Sequence, residues 1–159
     1  MVLEPKNRIS ERALRVWRIS GAVISAVFFL LAGGVIGLTI FFDWPIWISV
    51  TAIILFILSI YFFVILFPSL RWKRWRYEVR EQEIELQHGL FVIKRTLVPM
   101  VRVQHVDTAQ GPILRKYKLA SVTVSTAATT HEIPALELSE AEEMRISISR
   151  LARVADEDV

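Results

Sequence analysis

The chain contains no cysteine in 159 residues, which excludes disulfides and thiolate metal sites and fits the reducing side of a membrane. Its three histidines, at positions 88, 105 and 131, lack the local spacing of metal ligands, so no metal and no cofactor is expected. Two long stretches, Ile19–Phe42 and Ile46–Phe67, lack every Lys, Arg, Asp, Glu and His. Without an ionisable group inside them, a transporter, proton relay or ion path is hard to build. No Gly/Ser linker follows the second stretch, so whatever comes next stays close to it.

What those stretches do contain is apolar residues, in excess of the roughly 20 needed to cross a hydrocarbon core about 30 Å thick. Only Asp43-Trp44-Pro45 separates them, which predicts a two-span membrane hairpin. The first stretch is too long for the core of a cleavable signal peptide and reads as an anchor. Lys6, Arg8, Arg12, Arg15 and Arg18 precede the hairpin and Arg71, Lys73, Arg74, Arg76 and Arg80 follow it, whereas the turn carries only Asp43. Basic flanks stay in the cytoplasm, so a multi-pass cell-membrane protein with cytoplasmic N- and C-termini is expected. Trp44 and Trp47 are expected at one interface, and Trp17, Trp72, Trp75 and Tyr77 at the other.

Ala22, Ala26, Gly33 and Gly37 form a stripe of small side chains on the first span, Gly33 and Gly37 as a GxxxG. The expectation is close helix packing there, foremost against the chain's own second span and otherwise against another subunit or partner.

Charge is divided along the chain. Residues 1–76 hold nine Lys/Arg against three Asp/Glu, and residues 77–159 hold ten against thirteen. The excess positive charge lies beside the membrane, and a mildly acidic domain excludes a nucleic-acid footprint. The run Arg71-Trp72-Lys73-Arg74-Trp75-Arg76 is a basic-aromatic collar suited to anionic headgroups, at about 1 kcal/mol per basic residue. The expected organisation is a basic N-terminal segment 1–18, the hairpin 19–67, the collar 68–76, a cytoplasmic domain 77–155 and an acidic tail 156–159.

Beyond Tyr77 the pattern alternates. Ile84, Leu86 and His88 suggest a half-buried strand, Gly89 a turn, and Phe91–Leu97 the returning strand. Strands are also expected over Val101–Thr108, Ser121–Thr126 and Ile133–Leu138. Ser139 and Glu142 form a capping box for a last helix whose apolar stripe is Ala141, Met144, Ile148, Leu151 and Ala152.

Tyr77-Glu78-Val79, the Ile84–Phe91 hairpin, the Val98–Asp107 run with its Pro99, Arg102, Gln104 and Val106-Asp107, Gln110–Arg115 and Leu119–Thr126 together resemble the second type of the bacterial pleckstrin-homology-like family. The likeness spans about residues 70 to 136. The chain departs from it at Tyr117–Ala120, where the family has a glycine near the strand start. The resemblance implies a membrane α-helical hairpin plus an α+β domain, a pleckstrin-like antiparallel β-barrel capped by a C-terminal helix. It implies no enzymatic activity.

Chemistry of the residues agrees. His105 and Asp107 share a strand face, yet no nucleophile is set beside them, so no catalytic residue is expected. Arg80-Glu81-Gln82-Glu83 is net negative, which argues against phosphoinositide capture in the first hairpin turn. The expected role is a non-enzymatic scaffold whose partners are the lipid bilayer and a larger membrane protein with similar domains, or a homo-oligomer. The resemblance implies a part in envelope integrity or stress. The alternative is an anionic-lipid-sensing accessory of an envelope enzyme or transporter.

Overall fold

A computed structural model describes residues 4–157. They form two compact units, one from residues 14–70 and one from residues 4–13 together with 71–157.

The first unit is the helical hairpin. Helix α1 covers Arg12–Phe41. It stops at Asp43, whose φ of 52° is left-handed, and the Trp44 N–H bonds back to the Thr39 carbonyl at 2.9 Å. That five-residue return satisfies the terminal carbonyls and turns the chain. Helix α2, Ile46–Ile60, starts after Pro45 and widens into a π-helical turn over Tyr61–Leu66 before α3, Phe67–Arg74. Pro68 explains the widening: it has no N–H, and its ring crowds the carbonyl four residues back. The chain answers with a five-residue bond from the Phe67 N–H to the Phe62 carbonyl. Two buried hydroxyls close on their own helices, Thr39 on Val35 at 2.8 Å and Ser59 on Phe56 at 2.7 Å, whereas the buried Ser25 hydroxyl has no partner among the described residues.

The face that α1 turns to the second span is not the expected one. Ala22, Ala26, Gly33 and Gly37 are exposed, and a Cβ on either glycine would meet nothing within 4 Å. The buried face is Gly21, Ser25, Ala32 and Thr39. A Cβ on Gly21 would lie 2.0 Å from the Phe63 carbonyl oxygen, so this is where the backbones meet. Phe28 against Phe63 and Phe29 against Phe56, with ring centroids 5.9 and 5.4 Å apart, fix the contact. The bulk of these phenylalanines decides which face turns inward. The GxxxG lies on the other side.

The second unit holds two antiparallel sheets, ordered β1-β2-β3-β4 and β5-β6-β7. Strand β1 is Asn7–Arg8, β2 Arg76–Val79, β3 Glu83–His88 and β4 Lys94–Pro99. A 3₁₀ turn at Met100–Arg102 leads into β5, Val103–Ala109, and β6 and β7 follow at Leu119–Thr126 and Thr130–Glu137. A short helix α4, Pro112–Lys116, separates β5 from β6, and α5, Leu138–Glu157, ends the domain. The core joins both sheets to α5 through Tyr77, Ile84, Met100, Leu119, Val122, Ile133, Leu136 and Ile148. Helix α5 buries the expected stripe around Ala141 and Ile148, but it begins at Leu138, one residue ahead of the expected cap. Asp156 and Glu157 are its last turn, while positions 158 and 159 lie outside the described residues, as do positions 1–3 of the expected N-terminal segment.

Three features depart from the sequence pattern. The N-terminal segment belongs to the domain: Asn7 pairs with Tyr77 and Arg8 with Arg76, and Pro5, Ile9 and Ala13 are buried. Strand β3 is covered on both faces, because Arg80 and Arg95 bind Glu85, at 3.1 and 2.5 Å. The strand start that lacks the family's glycine carries Lys118 in the left-handed region at φ 55°, a conformation glycine adopts without strain.

Candidate functional site

The collar at the end of the second span is only partly a surface. Lys73 and Arg71 are exposed. The Trp72 indole donates to the Ser10 carbonyl at 3.1 Å, and the Arg8 guanidinium lies 6.0 Å from its ring centroid. Arg74 donates to the Leu90 carbonyl, and Arg76 pairs with Glu4 at 3.1 Å. Trp75, expected at the headgroups, is 6% exposed and stacks on His88, with centroids 5.5 Å apart and planes at 19°. Tyr77 is 1% exposed and belongs to the core. Strand β2 starts at Arg76, so the last aromatics of the run are already inside the fold.

Beside the collar a cavity of about 410 Å³ is lined by Arg71, Trp75, His88, Lys94, His131 and Glu132, among others. Burial, and then the positive charges of Lys94 and Arg71, hold the His88 imidazole below the usual histidine range. Histidines 88 and 131 thus share one cavity, while His105 sits elsewhere.

The hairpin between β3 and β4 differs from expectation. Its return strand begins at Lys94, not Phe91, and residues 89–93 form the turn. Gly89 takes φ +136°, and a Cβ there would fall 1.9 Å from the Val92 carbonyl oxygen. Phe91, Val92 and Ile93 are 83%, 81% and 51% exposed. The β-like run Phe-Val-Ile hid this in the sequence; the signal was Gly89 placed five residues before Lys94.

Next to the cavity that holds His88, β4 and β5 are edge strands of their separate sheets. A groove of about 680 Å³ lies along them, lined by Thr96, Leu97, Val101, Gln104 and Ala128, among others, and sharing Lys94, Thr129 and His131 with that cavity. Leu97 and Val101 are 52% and 47% exposed there. His105 and Asp107 stand exposed on β5, paired with Ser125 and Thr123, and no hydrogen bond joins the two among the described residues.

Two apolar helices followed by two small antiparallel sheets and a closing helix define a class, membrane proteins with a pleckstrin-homology-like domain. The chain belongs to the bacterial PH domain family, whose model matches residues 22–152. It is 54% identical over 156 residues to the UPF0699 transmembrane protein YdbS of Bacillus subtilis (strain 168), covering 98% of each chain. A 27% identity over 83 residues links it to the UPF0699 transmembrane protein YdbT of the same strain, covering 50% of this chain but 17% of that one. No solved structure matches significantly. The chain is thus a membrane protein, and both spans, Arg12–Phe41 and Ile46–Arg74, are long and apolar enough to cross a bilayer.

Proposed function

We propose that the protein is a non-enzymatic membrane adaptor whose PH-like domain faces the cytoplasm and binds a larger membrane protein carrying domains of the same kind. The observation that carries this is the pair of edge strands β4 and β5 flanking a groove with exposed Leu97 and Val101. Unpaired edges of this kind accept an added strand, with backbone bonds for affinity and side-chain pockets for selection. A relative such as YdbT, in which the region similar to this chain is 17% of the length, supports a larger partner of this kind. The exposed stripe Ala22, Ala26, Gly33 and Gly37 is a second surface on which a partner's helix could approach closely.

The cytoplasmic orientation rests on the basic flanks. It also agrees with the pairing of β1 and β2, which requires the residues before the first span and after the second to lie on one side.

Purification of the full chain from its native host in mild detergent tests the proposal. Recovery of a larger PH-domain membrane protein is expected, and loss of that protein with Leu97→Asp and Val101→Asp in an intact fold. Repeated recovery of the lone chain overturns it.

A further inference from the structure

The tip of the β3–β4 hairpin carries chemistry that the adaptor reading does not use. Outside the spans, Phe91-Val92-Ile93 is the only run of three consecutive exposed large apolar residues among the described residues. The run is held rather than loose. Gly89 closes the turn on the Val92 carbonyl, and Arg74 donates to the Leu90 carbonyl. Residues 68–75 alone separate the charge-free run that ends at Phe67 from β2 at Arg76, and they contain no Gly/Ser linker. The domain that carries the tip is therefore tethered to the bilayer by a short connection.

Charge around the tip suits an anionic surface. Lys94 follows it directly and is exposed, and Arg71 lines the cavity at its root with Lys94, His88 and His131. Glu132 is the acidic side chain in that cavity, and Arg95 is engaged by Glu85. Burial first, and then the charges of Lys94, Arg71 and His131, hold His88 below the usual histidine range, so the cations at the root of the tip lie close together. Apolar residues at the apex with cations at the base are the arrangement by which a peripheral segment enters a lipid interface.

We propose that the β3–β4 tip inserts Phe91, Val92 and Ile93 into the anionic leaflet that the second span leaves, giving the domain a third attachment to the bilayer. The inference does not rest on the protein partner: Phe91, Val92 and Ile93 lie outside the lining of the β4–β5 groove, and only Lys94, Thr129 and His131 border both that groove and the cavity at the tip's root.

The absence of cysteine makes the test direct, because Val92→Cys gives one labelling site at a residue that is 81% exposed. Glu81→Cys, in the exposed turn at the other end of β3, is the reference. Each full-length variant is labelled with an environment-sensitive fluorophore and reconstituted in phosphatidylcholine vesicles with or without phosphatidylglycerol. Lipid-borne nitroxide should quench the label at position 92 several-fold more than that at 81, with iodide showing the reverse order. Phosphatidylglycerol should deepen the quenching, and Lys94→Gln should remove that increment. Equal lipid quenching at both positions, or free access of iodide to position 92, overturns the proposal and leaves the tip as a protein-docking surface. An increment unaltered by Lys94→Gln overturns the part assigned to charge.

Discussion

The Tyr77 hydroxyl donates to Glu140 at 2.5 Å, linking strand β2 to the first turn of helix α5 across 63 residues of sequence. This bond joins the strand that follows the membrane helices to the helix that ends the domain. Burial, and then the Glu140 carboxylate, push the tyrosine well above its ordinary ionisation range.

Tyr77→Phe should therefore cost about 1.5–3 kcal/mol, the range for a bond to a charged group, read as a lowered thermal midpoint in detergent. Burial of this hydroxyl, together with the bond, sets an alkaline limit. Because the folded value is raised, its contribution is complete below pH 10 and is lost above it, as the unfolded chain ionises first. Melting curves on a pH series should show this loss in the parent and less of it in Tyr77→Phe.

An acid limit comes from different groups. A hydrogen bond from Arg80 holds Glu78 below the usual carboxylate range, and bonds from Arg145 and then Thr108 do so for Glu142. Their stabilisation is present above that range and is lost as pH falls through the lowered values. Arg80→Gln and Arg145→Gln should each flatten the acid side of the profile.

Trp75→Ala should unfold the domain in place of merely freeing it from lipid. The indole is 6% exposed and stacked on His88, and removing such a side chain costs about 3–5 kcal/mol. Lys73→Gln, at an exposed position, should leave the melting temperature unchanged while weakening binding to anionic vesicles.

In the hairpin, Gly21→Leu should drive the two spans apart, since even a Cβ there meets the Phe63 carbonyl oxygen at 2.0 Å. Gly33→Leu should leave the hairpin intact. Distance measurements between labels on the two spans separate these outcomes. Loss of a partner with Gly33→Leu alone would mark the exposed stripe as an assembly surface.

Lys118→Gly should stabilise the domain by about 1 kcal/mol, because a non-glycine residue at φ 55° pays a steric penalty that glycine avoids. A chemical-denaturation midpoint compared at constant slope would register it.

Much of this architecture was readable from residue patterns, and the misreadings share a cause. The charge-free runs gave both spans, and the alternation of Val122 and Val124 and the stripe through Ile148 gave β6 and α5. Patterns report which residues avoid water but not which neighbour covers them. Glu85 and Gln87 look solvent-facing until Arg80 and Arg95 close over the former, and Trp75 looks like a bilayer anchor until His88 stacks on it. Phe91-Val92-Ile93 has the composition of a strand but lies between the hairpin's paired residues His88 and Lys94. Strand β1, two polar residues long, has no periodicity to detect; only its partner β2 makes it a strand.

That short strand carries a lesson for biogenesis. Asn7 and Arg8 leave the ribosome long before Tyr77 and Arg76, and must wait while both greasy helices are delivered to the lipid. The sheet is thus finished only by a chain whose insertion has already succeeded, and a protein that threads one helix the wrong way strands its own first residues beyond reach. Completion of the domain doubles as a proofreading step on its threading.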